Sequence, residues 1–453
     1  MSNKKKSIDL MDRDSLLILG IKLKIKGYTN KFSSPYLKKD AIKQKIIDFI
    51  KDHKKIARTN SLSKIDSNSG HPKQLGRSKS LPNLNGGDNF NNNNNNNSPS
   101  YSSNNINKLK TNCVYPKVPK LVAIGDIHGD LSVAIKALKL AGVISMKIPD
   151  NYRDITKIDW TGKNTYVVQL GDQIDRVRPN KLFNNLCTDD NDICEDEGSD
   201  LKIICLFERL NGQAINHGGA LISILGNHEL MNVDKDFRYV SPREFSEFGN
   251  FFNGKVEYNS KYPYGYKERL EAFKPGGSLS KKLALTRYSV VQVGSWVFVH
   301  GGISPQCAND YSLDDMNNYI RRWLDGDETP QNMYHVDKLY HNDDDDYSPF
   351  WTRIFSDMDE WQESKCTADF NKTINNLNLK NIRNNSNVIK GMVMGHSPQF
   401  MYNRSINSSV NNRIWRVDVG ASKAFGEIDD PNRLVQVLVI NNDNNFSILR
   451  EKR

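Results

Sequence analysis

The chain has 453 residues, 37% apolar and 26% charged, which is long enough for two or three domains but too polar for all of it to pack into a core. Its formal charge of +10 is unevenly placed: residues 1–120 carry a net +16 and residues 121–453 a net −6, so the basic character says nothing about the larger remainder. No run of 18 apolar residues exists to span a membrane, and Leu16–Ile25 is broken by Lys22 and Lys24 with no small-residue cleavage site after it, so neither a span nor a secretory signal is expected and the location predicted is intracellular, in the cytoplasm.

Residues 1–55 predict a small basic helical module. Ser34 is a suitable N-cap with Pro35 at the first helical position, and Ile42, Ile46, Phe49 and Ile50 recur at helical spacing. Leu16–Leu19 fits a helix, whereas Ile21, Leu23 and Ile25 alternate like a strand. The pattern resembles a SAP-type helix–loop–helix, a family that often binds DNA, so nucleic acid is an expected partner of residues 1–118. Residues 56–118, rich in Ser, Asn, Gly and Pro and including Asn91–Asn97, predict a disordered linker, because they bury too little apolar surface to offset the entropy of ordering. Within it Arg77-Ser78-Lys79-Ser80-Leu81-Pro82 resembles a 14-3-3 docking site that phosphorylation of Ser80 would switch on. Cys113, Cys187, Cys194, Cys205, Cys307 and Cys366 include no CxxC pair, which argues against a zinc ribbon and for free thiols.

From Lys120 the texture changes. Leu121–Ile124, Tyr166–Leu170, Leu221–Leu225, Trp296–Val299 and Met392–Met394 are short apolar runs that predict buried strands, with helical stretches such as Leu131–Ala141 and Ile203–Gln213 between several of them. The expected order is β-α-β-α-β followed by a β-rich second half that includes Arg413–Val419 and Leu434–Ile440. Such a chain folds as a layered α/β domain, here expected over residues 119–450.

Each apolar run ends in a polar cluster: Gly125-Asp126-Ile127-His128-Gly129-Asp130, Gly171-Asp172-Gln173-Ile174-Asp175-Arg176, Gly226-Asn227-His228-Glu229, His300-Gly301-Gly302 and Gly395-His396. Carboxylate, imidazole and amide oxygen suit hard-to-borderline divalent metals, and glycine lets the backbone turn sharply beside a ligand. One such cluster could be a loop with a satisfied histidine. Five in this order, each at a strand end, point to one site.

The series GDxHG, GDxxDR, GNHE, HGG, GH resembles the calcineurin-like metallophosphoesterases, and within them the PPP-type protein phosphatases. Leu225–Asn232, Phe237-Arg238-Tyr239-Val240 and Trp415–Gly420 are most similar to the bacterial-like (Shewanella-like) branch. The resemblance spans roughly residues 119–440. It implies a metallophosphoesterase-type β-sandwich flanked by helices and a phosphatase acting on Ser/Thr or Tyr phosphate in phosphoproteins. Two divalent cations are implied, with manganese ahead of iron or zinc. Asp126 and His128 would hold the first metal, Asp172 would bridge both, and Asn227, His300 and His396 would hold the second. A hydroxide between the metals would attack phosphorus in line. His228 would act as general acid oriented by Asp175, and Arg176 with Arg353 would clamp the phosphate oxygens. Two departures, Val177 for the usual glycine and Leu225 for the arginine of the eukaryotic enzymes, remove no ligand but set the chain apart from the Ser/Thr phosphatases of that group.

Two other readings compete. The same metals could serve a nucleotide or dinucleoside-polyphosphate hydrolase or a nucleic-acid phosphodiesterase, which the basic arm would suit. A scaffold that has lost catalysis is a third, opposed by the presence of every candidate ligand. The acidic runs Asp189–Asp200, with seven carboxylates, and Asp343–Asp346 are expected to be solvated insertions.

Overall fold

The computed structural model describes residues 112–178, 196–251, 263–342, 346–357, 363–381, 387–426, 428 and 430–452. The module expected at 1–55, most of the linker, the Ser80 motif, Cys187, Cys194 and the larger part of both acidic runs lie outside these residues.

Among the described residues twelve strands form two six-stranded sheets. In chain order they are β1 (Val114–Tyr115), β2 (Lys120–Ile124), β3 (Tyr166–Gln169), β4 (Ala220–Ile224), β5 (Arg287–Tyr288), β6 (Val290–Val293), β7 (Trp296–Val299), β8 (Gly391–Met394), β9 (Asn407–Ser409), β10 (Ile414–Arg416), β11 (Gln436–Asn441) and β12 (Asn445–Arg450). The helices described are α1 (Leu131–Ala141), α2 (Asp200–Ile215), α3 (Asn227–Val233), α4 (Pro242–Phe251), α5 (Tyr266–Phe273), α6 (Ser278–Thr286), α7 (Pro305–Asp310), α8 (Leu313–Leu324), α9 (Pro330–Leu339) and α10 (Glu363–Asn381). One sheet has the order β12-β11-β2-β3-β4-β5, with β2 to β5 parallel. The other runs β1-β6-β7-β8-β10-β9, with β7, β8 and β10 parallel.

Strand alternation explains how the sheets share two cores. Val291, Val293, Trp296, Phe298, Val393 and Trp415 face the first sheet and join Val122, Val167, Leu221 and Val439 in one cluster. Their neighbours Val290, Val297, Val299, Met392, Met394 and Ile414 face the other way, against α5 to α10. Burial on both faces is why β7 and β8 read as unbroken apolar runs. Helix α1 shows the local logic of a crossover: Asp130 accepts the Val133 amide as N-cap, and Gly142, at φ +73°, ends the helix by donating to Leu138 and Lys139.

The predicted strands at 121–124, 166–170, 221–225, 296–299 and 392–394 and both predicted helices are present. The second half holds the expected strands, β5 to β12, but is also rich in helices. Seven helices, α4 to α10, occupy the described residues between Pro242 and Asn381, because the outer face of the second sheet is apolar and needs a helical layer to cover it. Strand β1 falls in residues that the composition assigns to the linker; two residues are too few to show a period. No described helix is long and apolar enough to cross a membrane.

Candidate metal centre

The five polar clusters meet at the carboxyl ends of the parallel strands. Asp126 and His128 follow β2, Asp172, Asp175 and Arg176 follow β3, Asn227 and His228 open α3 after β4, His300 follows β7, and His396 follows β8. All nine are buried. Four of them hold left-handed backbone: His128 at φ 47°, Asp172 at 48°, Asp175 at 73° and His396 at 68°. Each such residue costs roughly 1–3 kcal/mol, and strain of this kind gathers where geometry serves function.

Glycines allow the loops to close on one another. A Cβ at Gly226 would stand 2.1 Å from Asp172 Oδ1 and 2.5 Å from its amide nitrogen. Glu229, which the motif supplies but to which the sequence assigns no task, ties the second cluster to the third: its carboxylate accepts the amides of Gly226 (2.7 Å), Asp172 (3.0 Å) and Gln173 (2.7 Å).

Asp172 is the geometric hub. Its Oδ2 lies 3.3 Å from His300 Nε2 and 3.8 Å from both His128 Nε2 and His228 Nε2. Asp126 Oδ2 is 3.9 Å from His128 Nε2. His300 Nε2 also lies 2.9 Å from Asn227 Oδ1 and 3.2 Å from His396 Nδ1. His128, Asp172 and His228, and separately Asp172, His300 and His396, bring one ligand atom each to within 4.8 Å of one another.

The donor set fits divalent cations. His300 Nδ1 donates to the Leu170 carbonyl at 2.6 Å, which turns Nε2 toward the oxygens of Asn227 and Asp172. His128 Nδ1, His396 Nε2 and Asp418 Oδ2 are buried without hydrogen-bond partners. Burial, reinforced by Arg178 at one ring and Arg353 at the other, holds His128 and His396 well below the usual imidazole range, the neutral form that ligates metals. Burial and the charges of Asp418 and Asp172 push Asp126 well up. Burial opposes ionisation of Asp172 too, but His300, His228 and His128 together hold it well below the carboxylate range.

His228 stands apart. Its Nδ1 donates to Asp175 Oδ2 at 2.8 Å, leaving Nε2 toward the hub. Burial lowers its basicity, yet Asp172 and Asp175 outweigh that and raise its pKa, so it can carry a proton. Asn232 donates to both Asp175 oxygens at 3.0 Å.

The arginines lie around this centre. Arg176 Nη1 donates to the Gly129 carbonyl (3.2 Å) and pairs with Asp130 (3.3 Å) and Glu197 (3.6 Å). Arg178, which the sequence does not single out, lies over Phe425 (4.3 Å to the ring centre) and Tyr239 (5.6 Å), and these rings pack edge-on against His128 and His228 respectively. Arg353 is half-buried, and its charge acts on His396. Asp418, met before only within Trp415–Gly420, abuts the first loop: a Cβ at Gly125 would be 3.0 Å from its Cα. Burial raises its pKa to about 6.

Residues 119–400 match the family model for calcineurin-like phosphoesterase. The chain belongs to that family. Shewanella-like protein phosphatase 2 of Arabidopsis thaliana is 29% identical to it over 362 residues, 74% of this phosphoesterase and 78% of the plant protein. An uncharacterized protein of Acanthamoeba polyphaga mimivirus is 32% identical over 266 residues, 54% of this chain and 98% of the viral one. Shewanella-like protein phosphatase 1 of Plasmodium berghei is 28% identical over 307 residues, 67% of each chain. The family, the branch likeness and the α/β fold expected from the motifs are thus borne out, and this phosphoesterase is a hydrolytic phosphatase, which removes the scaffold reading.

Proposed function

We propose that the chain is a protein phosphatase with a two-cation site, in which Asp126, His128 and Asp172 hold one cation and Asp172, Asn227, His300 and His396 the other. The convergence of three imidazoles on Asp172 Oδ2 carries this reading, since a carboxylate oxygen shared between two donor groups is what a bridge requires. When bound, divalent cations supply Lewis-acid charge and an acidified water, with manganese preferred to iron or zinc for this oxygen- and nitrogen-rich set. The chain's own residues do the rest. His228 delivers the proton on Nε2 to the leaving oxygen, and Asp175 keeps Nδ1 protonated and the ring oriented. Arg353 and Arg176 would bind the phosphate, as the motifs imply; Arg178, whose charge acts on His128 as that of Arg353 acts on His396, adds positive charge to the centre. The burial of the ligands keeps bulk water from screening these charges. The names of the plant and malarial relatives support a phosphoprotein substrate.

The test compares manganese-loaded, full-length protein on phosphotyrosine peptide, phosphoserine peptide and a bis-aryl phosphodiester. Release from either peptide with little from the diester is expected, and Asp172→Asn should lower it at least about a hundredfold with loss of manganese. Full activity in Asp172→Asn would sink the two-cation assignment. Diester cleavage with inert peptides would move the substrate to nucleotides or nucleic acid, and residues 1–118 would then be tested for salt-sensitive DNA binding.

A further inference from the structure

Helix α5 sends Arg269 into the interior, where its side chain has no exposure. A guanidinium cannot be left there unpaired. Its Nη2 donates to Asp175 Oδ1 at 3.1 Å and to Asp200 Oδ2 at 2.9 Å, its Nε to Asn232 Oδ1 at 2.7 Å, and its Nη1 to the Glu244 carbonyl at 3.4 Å. The rings of Phe237, Phe245, Phe248 and Phe273 surround it, with centres 5.0–6.0 Å from Cζ. Planar groups at that range favour a cation and exclude water that could compete for its donors.

The consequence falls on Asp175. Its Oδ2 receives His228 Nδ1 and Asn232 Nδ2, its Oδ1 receives Arg269 and the same Asn232 amide, and its backbone amide donates to Asp200 Oδ1 at 3.2 Å. Asp200 alone could have neutralised Arg269. The guanidinium is instead shared, and it grips the carboxylate oxygen that does not touch the imidazole. With both oxygens held, the carboxylate cannot rotate away from His228.

We propose that Arg269 is a positioning residue for proton delivery: through Asp175 and Asn232 it locks the carboxylate that orients His228, without touching substrate. This rests on the reading of His228 as the acid given above. In that step an oxygen derived from water forms its bond to phosphorus as the P–O bond to the leaving group breaks, the proton passes from His228 Nε2 to the departing oxygen, and the ring is left neutral. A loosened Asp175 should therefore hurt most when the leaving group needs that proton, and little when it leaves unaided.

The experiment uses the full-length, manganese-loaded protein on phenyl phosphate, whose leaving group needs protonation, and p-nitrophenyl phosphate, whose leaving group needs little. For Arg269→Met we expect kcat on phenyl phosphate to fall about tenfold to a hundredfold and on p-nitrophenyl phosphate less than about fivefold, with KM and manganese content unchanged. Arg269→Lys keeps the charge but not the fork and should recover part of the loss. Since Arg269→Met strands two buried carboxylates and could unfold the chain, Asn232→Leu, which alters no charge, should show the same leaving-group bias. Folded, metal-loaded variants that lose both substrates equally would overturn the positioning role. A wild-type protein inert on both esters would overturn the phosphatase reading, and the proposal would fall with it.

Discussion

Gly226 shows how much of the centre depends on single backbone atoms. Its Cα hydrogen faces Asp172, so any side chain there must displace the hub carboxylate or the loop bearing it. Gly226→Ala should weaken manganese binding about tenfold or more and lower kcat about a hundredfold, because a shift of around 1 Å in a bridging ligand is felt at both metal positions. Metal titration with a parallel rate assay checks this, and unchanged affinity would mean that Asp172 is not a ligand. At this scale the sequence was highly legible for Asp126, His128, Asp172, Asn227, His228, His300 and His396, because their chemical types and strand-end positions were both visible. It was silent on two arginines: Arg178, two positions beyond the motif arginine that pairs with Asp130 and Glu197, reaches the rings beside the two imidazoles without belonging to any motif. Arg269 could not be found by spacing at all, since 94 positions separate it from Asp175.

Among the elements, α2, α4 and α5 meet around an excess of carboxylate. Asp175, Asp200 and Glu244 crowd the single guanidinium of Arg269, and Glu247 sits beside them, its Oε2 accepting the Leu201 amide at 3.4 Å. Burial, with the charge of Glu244, raises the Glu247 pKa from 4.5 to about 7, and burial raises Asp200 to about 7 despite Arg269. The sign follows from proton counting. Between the unfolded value and about 7 the folded state binds more protons than the unfolded one, so stability is greatest at the low-pH end of this window, falls as pH rises through it and levels off above about 7. Glu247→Gln should therefore raise Tm at pH 8, by an amount worth at most about 3 kcal/mol, and leave it nearly unchanged at pH 5. An equal shift at both pH values in melts would refute the assignment. The helices themselves were legible in part. In α8, Leu313, Met316, Ile320, Trp323 and Leu324 are buried at helical spacing behind a Ser312–Asp315 capping box, a signal the residues carry plainly. What hides it is composition, because Asp- and Asn-rich surface positions resemble loop.

For the molecule as a whole, the compact unit runs from Thr111 to Arg453, beginning eight residues before the domain boundary expected at residue 119. The difference is β1. Val114 and Tyr115 pair in parallel with Gln292 and Val293, covering the edge of the second sheet. Gln292 donates its amide to the Cys113 carbonyl (2.8 Å), Gly294 to that of Tyr115 (3.1 Å), and the Tyr115 and Tyr288 hydroxyls meet at 2.8 Å. Cys113 is buried against Asp314. Residues 111–453 alone should hydrolyse small phosphoesters with kcat/KM within about threefold of the full chain, since every candidate ligand lies within them. A chain beginning at residue 119 should keep the same ligands but lose the buried Cys113, the partly buried Val114, Tyr115 and Val118, the Tyr115–Tyr288 hydroxyl bond and the backbone hydrogen bonds from Gln292 and Gly294, on the order of 5 kcal/mol. Its Tm should be several degrees lower and its KM close to that of the longer fragment, because β1 lies at the far edge of its sheet from β8, which carries the His396 loop. Equal melting temperatures for the two fragments would show that β1 contributes no stability. A loss of activity on removing residues 1–110 would show that the basic arm takes part in hydrolysis of even small esters, which the buried geometry of the centre gives no reason to expect.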